Sequence, residues 1–367
     1  MEYRDLGKTG IKLSLLGFGG FHLLEIPQRT VEKLLNIYLD SGGNYIETAA
    51  GYGSGESERK IGMSVNKRRS EFVLASKTND RTKNGAMLQI ENSLRNLQTN
   101  YLDILFLHAV TSPEDLQNAL EGSYLAALEA QRAGKVKHIA ASMHGCPSGL
   151  IAAMEHGGFE VIMTTINYFD RCNYPEIENI LLPMANEKNI GVMLMKPLAD
   201  GYLYKNADAA FQYAFSKPVS VVVTGMNNEK MLTENLRRVN NYTPMSSADI
   251  DELLKSAPEL SDYVCRQCGK CSCSNGIEIM EIFAAEGYFD RQMARGVIKD
   301  TADYALMERL RFWYGSQHLG KERYQKLEKC ADACNNCGSC LSMCPYNINI
   351  PEKLVMADYK LAGKKVY

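Results

Sequence analysis

The chain has 367 residues, of which 45% are hydrophobic and 23% charged, and 41 basic side chains nearly balance 43 acidic ones. This composition is typical of a globular protein with a sizeable core, and the formal net charge of −2 argues against a general nucleic-acid or membrane-surface binder. No apolar run approaches the roughly 20 residues that span a bilayer, and the first ten residues lack the apolar segment of a signal peptide. We therefore expect a cytoplasmic protein without membrane or nucleic-acid partners.

Cysteine is the residue type that is distributed unevenly. Of 11 cysteines, Cys146 and Cys172 stand alone and are expected to be buried apolar thiols, whereas the other nine all follow residue 264. In a cytoplasmic protein such a cluster indicates a metal site more often than a disulfide framework. We predict two domains, residues 1–255 and residues 256–367.

The cysteine-poor part alternates short apolar runs with amphipathic stretches. Runs rich in β-branched residues are typical of parallel strands buried on both faces, and the stretches between them have helical periodicity. Eight such units predict an α/β fold with a closed (β/α)8 TIM barrel, and an open doubly wound sheet is the alternative. The predicted strands are residues 14–20, 44–49, 72–77, 102–108, 137–142, 161–167, 191–197 and 220–225. The clearest predicted helices are residues 30–43, 86–98 and 124–135.

Polar side chains stand where the predicted strands end. Glu47, Lys77 and His108 end the second, third and fourth strands. Tyr52 lies in the glycine-rich loop that follows Glu47. Singly, each could be a packed or solvated structural residue, but a barrel gathers the carboxyl ends of its strands at one face. We therefore expect these four side chains to converge. Later strand ends carry Ser142, His144, Asn167 and Lys196.

A phenol, an ammonium, a carboxylate and an imidazole together indicate acid–base catalysis. A phenol has a pKa near ~10 and is a poor acid at neutral pH. A nearby ammonium lowers that pKa by stabilising the phenolate, and a carboxylate holds the ammonium in place. A neutral imidazole can orient a substrate carbonyl, which the phenol can protonate as a hydride arrives at the carbon.

Six segments, spread in order over about residues 1–240, resemble the aldo-keto reductase family. They are YRDLGKTGIKLSLLGFGG, ETAAGYGSGESERKIG, VLASKT, YLDILFLH, GKVKHIAAS and VVTGMNNEKMLTENL. The resemblance implies a barrel oxidoreductase with a nicotinamide cofactor, and its catalytic tetrad falls on Glu47, Tyr52, Lys77 and His108. The family has Asp at the first of these positions, so the longer Glu47 is expected to shift the pairing with Lys77.

The resemblance also indicates how a nicotinamide cofactor would be held. The family places amide side chains where this chain has Met143 and Met163, and often Arg where it has Thr233. A thioether is only a weak acceptor, so support for NADP(H) or NAD(H) is weak. In the loop after the first strand, Phe21 and His22 are candidate substrate contacts. The cofactor-binding residues that the resemblance implies are Ser142, Asn167, Lys196, Gly225 and Asn235.

Two runs of cysteines predict two [4Fe–4S] clusters. The run that begins at Cys334 reads C-x2-C-x2-C-x3-C-P, the spacing of bacterial ferredoxins. The run that begins at Cys265 starts with the same spacing, but its last gap has one residue. A pair of structural zinc sites is the alternative, and Cys330 is left over. The crossed ferredoxin pattern assigns Cys265, Cys268, Cys271 and Cys344 to one cluster. It assigns Cys334, Cys337, Cys340 and Cys273 to the other.

The residues between the two runs have helical periodicity, which predicts a mainly helical, ferredoxin-like second domain. A barrel of this kind with a split dicluster tail resembles a subfamily of aldo-keto-reductase-like oxidoreductases. The first functional hypothesis is an oxidoreductase that acts on a small carbonyl or alcohol and exchanges electrons with a partner protein through the clusters. A hydride carries two electrons and a cluster carries one, so a direct link would need an adaptor such as a flavin, for which the sequence has no clear motif.

Two other functions remain open. The barrel could act without nicotinamide as an acid–base lyase or isomerase, using Tyr52, Lys77 and His108 beside structural or assisting clusters. A third hypothesis is an electron carrier with an inactive barrel, which the intact tyrosine, lysine and histidine argue against.

Overall fold

The computed structural model describes residues 1–293, 301–312 and 317–363, and the chain divides into two compact units. The first unit consists of Met1–Thr165, Asn179–Pro197 and Ala214–Pro244. The second consists of Ile166–Glu178, Leu198–Tyr213 and Met245–Tyr367. The second unit therefore includes two short segments that interrupt the first one in sequence.

The first unit is built on ten strands. Two of them, β1 (Tyr3–Asp5) and β2 (Lys12–Ser14), form an antiparallel hairpin. The others are β3 (Leu16–Gly19), β4 (Tyr45–Glu47), β5 (Val73–Thr78), β6 (Leu102–Leu107), β7 (Val136–Ser142), β8 (Val161–Thr165), β9 (Gly191–Met195) and β10 (Val221–Gly225). These eight pair in sequence order, and β10 closes the barrel by pairing in parallel with β3. The predicted (β/α)8 barrel is confirmed over the open sheet.

The helices follow from local sequence signals. In the first helix the buried side chains of Val31, Leu34, Leu35 and Tyr38 recur at helical spacing and form one apolar face. The third helix begins after Thr82, whose side chain caps it by accepting a hydrogen bond from a backbone N–H. The helices up to residue 241 are α1 (Gln28–Asp40), α2 (Glu56–Val65), α3 (Lys83–Leu97), α4 (Pro113–Glu121), α5 (Ser123–Arg132), α6 (Ser148–His156), α7 (Leu182–Glu187), α8 (Ala207–Phe215) and α9 (Glu229–Asn241).

The barrel interior is a packed apolar core rather than a channel. Tyr45, Phe106 and Met163 belong to it, and so does Leu6 from the hairpin connection. At the amino-terminal end of the strands, a Cβ on Gly7 would lie 2.4 Å from the backbone nitrogen of Gly191, the first residue of β9. The hairpin thus closes that end of the barrel, and the carboxyl ends of the strands remain for chemistry.

The second unit is helical in the part that the structure describes. Its apolar core includes Ile282, Phe283, Tyr324 and Leu354, and several of the cysteines pack against this core from loops. The helices after residue 241 are α10 (Ser247–Ser256), α11 (Ile279–Asp290), α12 (Thr301–Phe312), α13 (Gln317–Gln325) and α14 (Ile350–Leu361). None of the helices in the described ranges combines the length and apolar character needed to cross a bilayer.

Candidate active site and thiol clusters

Three neighbouring strands bring the predicted catalytic side chains together. Lys77 near the end of β5 donates hydrogen bonds to the Glu47 carboxylate at the end of β4 and to the carbonyl oxygen of Thr48, the latter over 2.9 Å. Its third donor direction is taken by the Tyr52 hydroxyl, 3.3 Å away. All three N–H groups of the ammonium therefore have acceptors, and one of these is the phenol oxygen.

Burial affects the charge of the Lys77 side chain. The side chain of Lys77 is only 2% exposed, and burial lowers the pKa of its ammonium to about 7. The adjacent Glu47 carboxylate, 6% exposed, favours the charged form of the lysine by its opposite charge. Lys77 therefore changes charge near neutral pH instead of remaining a permanent cation.

His108 lies beside the phenol, directly after β6. The ring centroids of Tyr52 and His108 are 6.0 Å apart, with the rings edge to face. Burial lowers the pKa of His108 to about 3, and the cations of Lys77 and Arg81 lower it in the same direction. The imidazole is therefore neutral at physiological pH, which suits a hydrogen-bonding role towards a carbonyl better than that of a charged acid.

Two residues near His108 were not assigned a role from the sequence. His144 is 6% exposed, and its ring centroid lies 6.4 Å from that of His108. Arg81 donates hydrogen bonds to the carbonyl oxygens of His108 and Ala109, at 2.8 and 3.0 Å, and pairs with Asp115. His144 was selected from the sequence only as a strand-end residue. Arg81 could not be selected, because its partner Asp115 lies 34 residues further along the chain.

The candidate substrate residues follow β3. Phe21 is 42% exposed, and its ring centroid lies 5.1 Å from that of Tyr52, so it forms a wall beside the phenol. His22 pairs through Nδ1 with Glu25 over 2.8 Å. A Cβ on Gly225 would lie 2.2 Å from Cδ2 of His22. Glycine at the end of β10 therefore makes room for this imidazole.

Two of the polar residues expected to hold a nicotinamide make hydrogen bonds within the protein. The Ser142 hydroxyl, fully buried, accepts a hydrogen bond from the backbone N–H of Ala109 over 3.2 Å. Asn235 on α9 accepts one from the Arg238 guanidinium over 2.9 Å. Lys196, just after β9, has a left-handed backbone with φ +59°. Met143 and Met163 are buried.

Asn167 is not a strand residue, because β8 ends two residues earlier, at Thr165. Its side-chain amide donates to the Asp170 carboxylate over 2.9 Å and its oxygen accepts from the Asp170 backbone N–H over 2.7 Å. Asn167 belongs to the second compact unit and shapes the turn there. Its amide is thus used locally.

Each predicted thiol set has one observation that relates its members, and the crossed assignment of ligands stays a prediction. Cys265, Cys268, Cys271 and Cys344 line one cavity. Burial raises the pKa of the Cys340 thiol, and the neighbouring thiols of the second predicted set, Cys334, Cys273 and Cys337, raise it further. The leftover Cys330 instead donates towards the Tyr324 carbonyl, 3.6 Å away. Within the residues that the structure describes, no three Cys, His, Asp or Glu side chains converge as the ligands of a single ion would.

Cys146 and Cys172 lie outside the two predicted ligand sets. Both are buried, and Cys172 donates towards the Tyr168 carbonyl oxygen over 3.6 Å. Burial raises the pKa of Cys172 to about 12. Gln292 donates to the backbone carbonyl oxygens of both Cys172 and Cys265, so Cys172 lies close to the first set. The packing role of the two thiols stays a prediction.

The comparisons with known proteins agree with this fold. The profile of the Aldo/keto reductase family matches residues 15–210, more than half of the chain. The chain therefore belongs to the aldo-keto reductase family. Seven of the eight barrel strands, β3 to β9, and the Glu47–Lys77–Tyr52 contacts lie within that matched range.

Two curated relatives and one solved structure illustrate the similarity. Aldo-keto reductase YhdN of Bacillus subtilis is 29% identical over 55% of this chain and 64% of its own. Aryl-alcohol dehydrogenase GME11368 of Pestalotiopsis microspora is 27% identical over 64% of this chain and 65% of its own. The chain thus covers slightly less than two thirds of either relative. The holo form of aldo-keto reductase AKR11C1 from Bacillus halodurans, 23% identical, has the same fold with a TM-score of 0.62, over 70% of this chain and 97% of that one.

Proposed function

We propose that the protein is an oxidoreductase that interconverts a small-molecule carbonyl and its alcohol at the carboxyl end of the barrel, and that two [4Fe–4S] clusters in its C-terminal part relay electrons. The observation that supports the barrel reaction is the hydrogen-bonded series from Glu47 through Lys77 to Tyr52, which lies beside a neutral His108. The similarity to an aryl-alcohol dehydrogenase supports this reaction type.

Each residue of this hydrogen-bonded series has a defined role in the proposed reaction. Tyr52 gives its proton to the carbonyl oxygen as the carbon is reduced, and Lys77 stabilises the phenolate that remains. Glu47 holds the ammonium towards the phenol, and the neutral His108 donates a hydrogen bond that orients the carbonyl. Phe21 packs against the phenol and limits the access of water from the loop side.

The chain's own residues fit a nicotinamide only in part. When bound, such a cofactor supplies or accepts a hydride. Two positions where the family has amides carry buried thioethers, Met143 and Met163, and the hydroxyl of Ser142 is already bonded to the backbone. We therefore propose weak binding of NADP(H) or NAD(H), and the proton transfers of Tyr52 do not depend on which donor supplies the electrons.

The donor chemistry of the second unit fits two iron–sulfur clusters. Each would be held by three thiols of one run and one of the other, as in dicluster ferredoxins. The shared cavity of Cys265, Cys268, Cys271 and Cys344 supports the crossing. A pair of structural zinc ions is the competing outcome, and metal analysis separates the two.

Two thiols suggest how the clusters would exchange electrons. Cys268 and Cys337, one in each predicted set, are exposed, so each cluster would have an edge close to solvent. We propose that a partner protein delivers or removes electrons there. We also propose a cytoplasmic location, because a cysteine cluster of this kind is typical of metal sites in reducing compartments.

A second candidate function is an acid–base lyase or isomerase that uses no nicotinamide. Met143 and Met163 favour this function, because buried thioethers replace two amides that would bind the cofactor. Tyr52, Lys77 and His108 nevertheless remain in contact range of one another. In this alternative the clusters are structural or assist the reaction.

One experiment separates the two functions. Anaerobically purified protein is titrated with NADPH and with NADH, followed by fluorescence and by cluster absorbance, and then given an aryl aldehyde. For the proposed function we expect the aldehyde to be reduced to the alcohol with one nicotinamide consumed per aldehyde, or, when a flavin is added as two-electron adaptor, with two reduced clusters re-oxidised per aldehyde. Failure of reduced protein to convert any aldehyde or ketone, together with clusters that never change oxidation state, would contradict it.

A further inference from the structure

A network of buried charges joins two helices of the second unit. Glu286 and Asp290 lie one turn apart on α11, both fully buried, and face Lys353 and Lys360 on α14. The Lys353 ammonium lies 3.2 Å from the Glu286 carboxylate, and that of Lys360 lies 2.9 Å from the Asp290 carboxylate. Arg311 of α12 adds a contact of 3.5 Å to Asp290. Arg311 also pairs with Glu308 over 2.7 Å, so the network pairs three cations with three carboxylates.

Such a network is a costly way to join helices. Each buried ion loses its hydration, and well-packed apolar side chains often stabilise a core as well as a buried ion pair does. The barrel reaction does not use these groups. Their position relative to the thiols supplies a reason for them.

Lys353 is connected to the first thiol set through Gln292. Its ammonium donates to the Gln292 side-chain oxygen over 2.8 Å, and the same oxygen accepts a hydrogen bond from the Cys265 backbone N–H over 2.7 Å. The ammonium also donates to the carbonyl oxygen of Tyr263, two residues before Cys265. One end of the charge network therefore lies at the backbone of a predicted cluster ligand.

A second buried cation stands next to the same ligand. Arg266 is 6% exposed, and its guanidinium lies 4.7 Å from the centroid of the Tyr346 ring. It donates to the carbonyl oxygens of Leu254 and Ser261, at 3.1 and 2.6 Å, which hold it in place without neutralising its charge. The first thiol set is thus flanked by two cations with little access to water.

The second thiol set has different surroundings. The groove that contains Cys334 is also lined by Asp332, Glu352 and Asp358, and its lining includes no cation. The Lys329 ammonium donates to the Asn275 carbonyl nearby, but this side chain is exposed and its charge is screened by water. Of these carboxylates Asp332 and Glu352 are exposed as well, and only Asp358 is buried, so the difference is that the first set has two buried cations beside it and the groove of Cys334 has none in its lining.

We infer that Arg266 and Lys353 give the cluster on Cys265, Cys268, Cys271 and Cys344 the higher reduction potential, so that an electron entering at the other cluster moves to this one. The inference rests on the two clusters of the proposed function. Reduction adds one electron, and hence one negative charge, to a cluster held by four thiolates. Buried cations favour that charge, and carboxylates oppose it.

The test uses the full-length protein, purified without oxygen, in a potentiometric titration followed by electron paramagnetic resonance. Cys337→Ser removes a ligand of the second cluster, so the titration should then show only the redox couple with the higher reduction potential. Lys353→Met should lower that couple by about 59 mV, a tenfold change in the ratio of reduced to oxidised cluster. Lys360→Met is the matched control, because it removes the same charge from the same helix and network. Its ammonium lies 5.6 Å from the centroid of the Tyr263 ring, whereas Lys353 lies 3.9 Å from it and also donates to the Tyr263 carbonyl and to Gln292. We expect it to shift the couple much less.

A second variant covers the case in which Lys353→Met loses iron. Gln292→Glu keeps an acceptor oxygen for the Cys265 N–H and adds a negative charge beside it, so it should also lower the higher couple. Equal shifts from the Lys353 and Lys360 variants, or survival of the lower couple in Cys337→Ser, would overturn the inference while leaving the clusters in place. Wild-type protein without iron would instead overturn the proposed clusters themselves.

Discussion

The Lys77 ammonium nitrogen lies 3.3 Å from the Tyr52 hydroxyl oxygen and also donates to the Glu47 carboxylate, so a carboxylate, a cation and a phenol are connected in series. The longer Glu47, in place of the Asp found in the family, still contacts the lysine. The replacement of Asp by Glu at position 47 therefore preserves the contact with Lys77.

Tyr52→Phe removes the proton donor and keeps the aromatic ring. It should lower turnover by roughly 10²–10⁴-fold, the usual contribution of a positioned acid–base group. Lys77→Met should be comparably damaging, because the phenol then loses the cation that stabilises its ionised form. Steady-state kinetics measures both, and Tyr3→Phe on the exposed hairpin is the control that should leave turnover unchanged. Normal turnover in both variants would mean that the reaction occurs elsewhere.

The pH dependence of turnover should follow Lys77. Its ammonium has a pKa of about 7, lowered by burial, so it is charged below that pH and neutral above it. Because only the charged form stabilises the phenolate, carbonyl reduction should decline as the pH rises through about 7. Lys77→Arg keeps its charge at all these pH values and should move the decline upwards. A wild-type profile that stays flat to well above pH 7 would contradict this role.

Iron content tests the thiol assignments. The protein purified without oxygen should be brown and contain about eight iron atoms per chain, as two four-iron clusters require. Cys337→Ser should lose about half of the iron, whereas the matched control Cys330→Ser should keep all of it, since Cys330 bonds to a carbonyl outside both groups. Two zinc ions per chain and no iron would replace clusters with structural zinc.

Nicotinamide binding should be weak and should discriminate poorly between NADPH and NADH. Two missing polar contacts, each typically contributing ~0.5–1.5 kcal/mol, weaken binding by up to about a hundredfold. Thr233, which is exposed, offers no charge for the 2′-phosphate. Met163→Gln should tighten binding in a fluorescence titration, provided that its melting temperature remains close to that of the wild type, because this position lies in the barrel core. Submicromolar affinity for NADPH with strong rejection of NADH would disprove the argument.

Much of the barrel could be predicted from the sequence because its signals are local. Each strand is a short continuous apolar run, and a polar residue marks the end of that run. Glu47, Lys77 and His108 could therefore be selected before the fold was known. Phe21 was found in the same way, from its place directly after a strand. The convergence of these residues then follows from barrel geometry alone.

Features that depend on distant partners could not be predicted. Lys353 and Lys360 read as solvated charges in the sequence, because Glu286 lies about seventy residues before them and only the packing of α11 against α14 brings them together. Asn167, which the resemblance assigns to a cofactor, has a hydrogen bond to Asp170 in a turn that the sequence did not predict, and its cofactor role stays a prediction. The domain boundary at residue 255 stays a prediction, since two earlier segments, 166–178 and 198–213, cluster with the second unit.

The cavity of the first thiol set has a consequence for biosynthesis. It takes Cys265, Cys268 and Cys271 from one stretch of chain and Cys344 from another that leaves the ribosome several seconds later, at about 5–20 residues per second. The barrel can complete its hydrogen-bonded ring before that moment, while the early thiols are still incomplete as a ligand set. For the proposed cluster, metal insertion would therefore have to wait until residue 344 has left the ribosome, and nascent chains that stall before it would expose three unprotected thiols to oxidation.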